Sequence, residues 1–193
     1  MLFKGVGGSG KGTFMRLLSK MFSQENVMSG LGTNSLLSDF CPYTGNKLVV
    51  EINELCGGTH RDAIRILDRI KSLVFEPRIM ANMKGVQAME VDNIAWFIMS
   101  SNHQKPLQLD SEQSGNRRFT IINTGGSISP EKGKKVNSTI ENKKSIANYL
   151  AWLYKEFPEV PGWDSISCLD NEDKRLLTDQ SENTCARFFK WFE

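Results

Sequence analysis

The chain has 193 residues, of which 39% are hydrophobic and 24% charged, with a formal net charge of +2. This composition suits a globular domain with ample length for a core. It excludes both a disordered polyelectrolyte and a uniformly basic nucleic-acid coat, so any polyanion site must be local. The four cysteines (Cys41, Cys56, Cys168, Cys185) are scattered with no Cys-x-x-Cys pair, and there are only two histidines. Free thiols in a reducing compartment are expected, and no zinc site. No apolar run reaches membrane-spanning length and nothing at the start resembles a signal peptide, so a cytoplasmic protein without a membrane partner is expected.

In chain order, Met1, Leu2 and Phe3 form a short apolar strand, followed by Gly5-Val-Gly-Gly-Ser-Gly-Lys-Gly-Thr13. So few residues precede this loop that the chain reads as starting partway into its first strand, with an N-terminal region of a longer polypeptide missing. Phe14, Leu17, Leu18, Met21 and Phe22 then recur at helical spacing, which predicts a helix over residues 13–22. After a glycine-containing loop, the block Lys47-Leu-Val-Val-Glu-Ile-Asn-Glu-Leu55 reads as a buried strand ending in acids. Residues 60–75 predict a helix with Ile64, Leu67, Ile70, Lys71 and Val74 on one stripe, stopped by Glu76-Pro77. Residues 78–93 read as a hairpin around Lys84-Gly85, and 94–99 as a central strand running into Ser100-Ser-Asn102. Arg117 opens a further strand to Asn123. Residues 127–144, rich in Gly, Ser and Lys, read as a loop or linker between a core at 1–126 and a helical segment at 145–193. Within that segment, Ile146 to Phe157 and the tail from Asn171 are expected to be helical.

Strand, glycine loop and helix together form the context of a phosphate-binding loop. Gly5, Gly7, Gly8, Ser9, Gly10, Lys11, Gly12 and Thr13 are the candidate binding residues. Glycines let successive amides point at an anion, the helix N-terminus adds its positive end, and Lys11 is placed for the β- and γ-phosphates. Gly12 stands where a magnesium-binding hydroxyl is usual. Magnesium is therefore expected to be held largely through water and by carboxylates elsewhere, with Thr13 near a phosphate closer to the ribose. Glu54 is the candidate catalytic acid at a strand tip, and Asn53 stands where a metal-coordinating Asp is usual. The expected magnesium set is thus Thr13, Asn53 and Glu54. Glu51 shares a face with Asn53 only if the strand stays regular. Asn102 is placed to hydrogen-bond a water between acid and phosphate, and Arg117 or Arg118 to act as an arginine finger.

The order of these four pieces resembles the superfamily 3 helicases, most closely the phage and poxvirus-type primase-helicase ATPase domains. The resemblance rests on Gly-Ser-Gly-Lys-Gly-Thr-Phe, Leu-Val-Val-Glu-Ile-Asn-Glu, Ser-Ser-Asn-His-Gln-Lys-Pro and Asn-Arg-Arg-Phe-Thr-Ile-Ile. It implies an α/β fold of the AAA+ P-loop NTPase type, with a central parallel five-stranded sheet flanked by helices and a C-terminal helical appendage. It further implies ATP and Mg2+ between subunits of a homo-hexamer, with the arginine reaching the neighbouring site. The function implied is an ATP-hydrolysing DNA helicase or translocase of phage or mobile-element replication, alongside a primase. Lys84 on the hairpin would contact single-stranded DNA. Two other readings stay open: a nucleotide kinase, since the loop also resembles that of adenylate kinases, and a regulatory ATP-binding module.

Overall fold

A computed structural model of the chain describes residues 1–38, 46–56, 59–82, 85, 87–109, 118–158 and 168–181. Five strands form one parallel sheet: β1 (Leu2–Lys4), β2 (Val27–Gly32), β3 (Val49–Asn53), β6 (Trp96–Ser101) and β7 (Ile121–Asn123), in the order β2-β3-β6-β1-β7. Two further strands, β4 (Arg78–Ala81) and β5 (Met89–Asp92), pair antiparallel as a separate ribbon. The helices are α1 (Lys11–Phe22), α2 (Thr33–Leu37), α3 (His60–Phe75), α4 (Pro130–Glu141), α5 (Lys143–Glu156) and α6 (Glu172–Ser181).

The most apolar runs occupy the middle of the sheet, as expected where both faces are covered. Residues 49–52 and 97–101 are buried without interruption. Alternation along each strand then supplies two cores. On one face Met15 and Leu18 of α1 pack on Val27, Val49 and Ile98, and Phe14 meets Phe3 edge to face at 5.1 Å. On the other, Ile66, Leu67, Ile70 and Leu73 of α3 pack on Val50, Ile52, Phe97 and Met99, joined by Leu177 of α6.

Helix α3 has the bounds its periodicity predicts, with Thr59 capping the Asp62 amide and Glu76 closing it. Its buried stripe is rotated from the predicted one: Ile64 and Val74 are exposed, while Ile66 and Leu73 are buried. Of the strand expected over residues 117–123, the described part joins the sheet over Ile121–Asn123. The ribbon β4–β5 forms the expected hairpin, held by Arg78 to Glu90 at 2.7 Å and Asp92 at 3.1 Å. Lys84, Arg117, Cys41, Cys185 and the aromatic tail beyond residue 181 lie outside the described residues.

The clearest departure is at residues 127–144, expected as a loop or linker and found to contain α4. Ser129 accepts the Lys132 amide and Pro130 opens the helix, two start signals that outweigh the Gly- and Lys-rich composition. Asn142 ends α4 and at once caps α5, accepting the Lys144 and Ser145 amides. This helical hairpin packs on α1 through Arg16–Asn137 and Lys20–Glu141. Helix α6 is tied to β7, where Asp173 accepts the Asn123 amide and Asn171 donates to the Ile121 carbonyl. No helix among the described residues is long and apolar enough to cross a membrane.

Candidate functional site

Where β1 ends, the chain turns through the glycine loop directly into α1. Gly8 and Gly10 adopt φ of +76° and +96°, which a side chain would strain, and Gly10 is the helix N-cap. No side chain caps α1 and its first turn carries no acid. The first-turn amides are therefore free to bind an anion, reinforced by the positive end of the helix dipole. Lys11 folds back over the loop, its Nζ donating to the Gly5 and Val6 carbonyls at 2.8 and 2.9 Å and to Ser9 Oγ at 3.2 Å. Partial desolvation holds the Lys11 pKa below its ordinary 10.5.

The segment after β7 clasps this loop, a contact that local sequence pattern does not signal. Thr124 Oγ1 lies 2.7 Å from Ser9 Oγ and donates to the Lys4 carbonyl at 3.2 Å. Ser127 Oγ donates to the Gly7 carbonyl and the Ile128 amide to the Gly8 carbonyl, both at 3.0 Å. A Cβ at Gly5 would collide with Thr124 Oγ1, and one at Gly10 would lie 2.7 Å from Ile128 Cδ1. These glycines are needed for close approach as well as for turning.

Opposite the loop stand the tips of β3 and β6. The expected residues Asn53, Glu54 and Asn102 line the same cleft of about 1300 Å3 as loop residues 7–13. Gly5 sits beneath it, its amide on the Ser101 carbonyl at 3.1 Å. Asn53 Oδ1 accepts from Ser100 Oγ at 2.8 Å and from the Glu54 amide at 2.9 Å. With its oxygen so committed, Asn53 has its NH2 left to offer a ligand, a group suited to a phosphate oxygen rather than a cation. Glu54 takes φ of +53°, uncommon for a residue with a side chain, at the point where β3 leaves the sheet. Hydrogen bonds on the main chain hold it there: Thr33 Oγ1 donates to the Glu54 carbonyl and the Leu55 amide to the Ser100 carbonyl. Beneath them, buried Ser101 Oγ donates to the Leu55 carbonyl at 2.6 Å and accepts the His103 amide at 3.1 Å.

Because β3 is regular over Val49–Asn53, Glu51 does share the face of Asn53 and lines the cleft, buried. Burial raises its pKa above the ordinary 4.5, partly offset by a hydrogen bond from the Gly30 amide. Arg118 sits at the other end of the sheet. It precedes β7, whereas the loop follows β1, and the two strands are parallel. Its guanidinium stacks 5.0 Å from the centroid of Phe75. Cys56 and Cys168 are free thiols, and the described residues contain no cluster of three or more metal-ligating His, Cys, Asp or Glu side chains.

Comparison with known proteins changes the family. The chain is 26% identical over 192 residues to a DNA primase-polymerase of Nitratiruptor phage NrS-1, covering 98% of this chain and 26% of that protein. Two solved structures of the NrS-1 C-terminal region, both apo, share the fold. One superposes with a TM-score of 0.76 at 24% identity, covering 98% of this chain and 44% of the other. The second gives 0.72 at 26%, covering 99% and 46%. The chain thus spans about a quarter of the length of the curated relative and under half of the solved chains.

These findings overturn the helicase assignment. The resemblance to superfamily 3 helicases, the reading as an ATP-hydrolysing motor and the kinase alternative all give way to similarity to a primase-polymerase. The physical reason is that a glycine loop, an acid at a strand tip and a neighbouring amide report on a bound phosphate, and one such set serves many reactions. The hexameric ring and the reach of the arginine into a neighbouring site rested on the helicase resemblance and lose that support. The model of a family of unknown function, DUF5906, matches residues 3–118, and the chain belongs to that family.

Proposed function

We propose that this chain is the nucleoside-triphosphate-binding domain of a replication protein of the DNA primase-polymerase type, taking ATP or another nucleoside triphosphate with Mg2+ in the cleft. The observation that carries this reading is the glycine loop, whose uncapped helix amides open on the same cleft as Glu54, Asn53 and Asn102. In it, the amides of residues 8–13 hold the β- and γ-phosphates, and Lys11 exchanges its three loop acceptors for phosphate oxygens. Glu54 and the Thr13 hydroxyl offer the hard oxygen donors that Mg2+ prefers. The Asn53 NH2 and Asn102 face phosphate or water. Bound Mg2+ would supply charge neutralisation on the phosphates. Lys11 and the amides share that task, and the Thr124–Ile128 clasp keeps the cradle in shape before the ligand arrives.

Similarity to a phage primase-polymerase supports DNA as the larger protein's substrate and the host cytoplasm as its place of work. The test is calorimetric titration of the full chain with MgATP and with deoxynucleoside triphosphates. Lys11→Ala is expected to weaken binding at least about tenfold, the loss of one charge-assisted contact worth about 1.5–3 kcal/mol. Equal affinity in a variant with unchanged circular dichroism would refute the site.

A further inference from the structure

Helix α5 buries Ile146 and half-buries Leu150 and Leu153, and turns a row of aromatic rings to solvent. Tyr149, Trp152 and Phe157 are 40, 48 and 64% exposed. The Tyr149 and Trp152 rings are stacked, 5.8 Å apart and inclined by 21°, and Phe157 meets Trp152 edge to face at 6.0 Å. Contiguous exposed apolar surface of this kind marks an interaction site. The α4–α5 hairpin that carries it holds six lysines (Lys132, Lys134, Lys135, Lys143, Lys144, Lys155) against three glutamates, with no arginine or aspartate. Its net +3 exceeds the +2 of the whole chain. Glu141, one of the three acids, is already engaged by Lys20 at 2.6 Å.

Exposed rings on a lysine-rich element are the combination that holds single-stranded nucleic acid, bases on the ring faces and phosphates on the ammonium groups. Contacts between protein chains also draw on aromatic residues, but they favour arginine and deplete lysine, so the lysine content is what favours nucleic acid here. We propose that the α4–α5 hairpin is a stacking platform for single-stranded DNA, with bases on Tyr149, Trp152 and Phe157 and the backbone against the hairpin lysines. This deepens the DNA reading above and rests on it. The platform is tied to the cleft: α4 follows directly on the Ser127–Ile128 clasp of the glycine loop and is anchored to α1 at Asn137.

The experiment is fluorescence anisotropy of labelled oligothymidylate with the full chain over a salt series, alongside MgATP titration. Trp152→Ala is expected to weaken DNA binding about tenfold, with Trp152→Phe close to wild type. Lys143→Gln with Lys144→Gln should reduce the log–log salt slope by about 1.4, since each phosphate contact contributes roughly 0.7 on single strands. Both variants should bind MgATP as wild type does, because none of these residues lines the cleft. Unchanged DNA affinity in Trp152→Ala overturns the platform. So does a wild-type chain that takes MgATP but not oligothymidylate, which leaves the nucleotide reading intact. If sedimentation instead shows self-association that Trp152→Ala abolishes, with DNA affinity unchanged, the face is a contact between copies and the proposal fails.

Discussion

Glu54 should reveal a trade between stability and function. Its φ of +53° places a long side chain in the left-handed region, at a cost of roughly 1–2 kcal/mol. The hydrogen bonds that impose this conformation engage the main chain of residues 54 and 55 and not the Glu54 side chain: the Thr33 hydroxyl on the Glu54 carbonyl, Asn53 Oδ1 on the Glu54 amide, and the Leu55 amide on the Ser100 carbonyl. All three survive substitution. Glu54→Gly therefore removes the strain and gives back about 0.5–1 kcal/mol through the greater freedom of glycine in the unfolded chain. The net expectation is about 0.5–1 kcal/mol of added stability. At this chain length that corresponds to a melting temperature higher by about 1–4 °C. Glu54→Gln keeps the strain and removes only the charge, so its melting temperature should match wild type. Both variants should lose the Mg2+ dependence of triphosphate binding. Calorimetric melting and nucleotide titration of the three proteins check this. A Glu54→Gly protein less stable than wild type would refute the strain argument, and intact Mg2+ dependence in Glu54→Gln would refute the role of the carboxylate.

Further perturbations probe the supports of the site. Gly10→Ala forces a side chain into φ of +96° and against Ile128, which should cost about 2–4 kcal/mol in urea denaturation and weaken triphosphate binding with it. Ser101→Ala leaves the Leu55 carbonyl and the His103 amide short of a partner in a buried place, so a loss of about 1–3 kcal/mol is expected by the same assay. For Glu51, the folded pKa lies above 4.5, so between 4.5 and that raised value the native state holds more proton than the unfolded one. Its contribution to stability therefore falls as pH rises through that window, and Glu51→Gln should flatten the dependence and be more stable near neutral pH. A slope unchanged by the substitution would mean that Glu51 titrates as it does in the unfolded chain.

Much of the sheet and the centre of the cleft could be read from local pattern. The strand–glycine–helix run, the apolar blocks at 49–52 and 97–99 and the bounds of α3 depend on caps, breakers and periodicity within about a dozen residues. Such signals survive without tertiary context. Helix α4 leaves little trace in composition: its apolar stripe is only Val136 and Ile140 within a Gly- and Lys-rich segment, and its local mark is the Ser129-Pro130 start signal. The helicase assignment went too far for a different reason: phosphate chemistry constrains residue types at a site far more tightly than it constrains the reaction.

Other features depended on residues distant in the chain. Ser9 meets Thr124 across 115 positions and Ser100 meets Asn53 across 47, and neither contact leaves a trace in local periodicity. Alternation along β3 could pair Glu51 with Asn53, but only the sheet order turned that face toward α1 and the cleft. Likewise the orientation of the Asn53 amide follows from which donors surround it, and those arrive from β6 and from its own chain turn. A linear pattern specifies which face of an element is apolar or polar. Which faces then meet is decided by the packing of the whole chain.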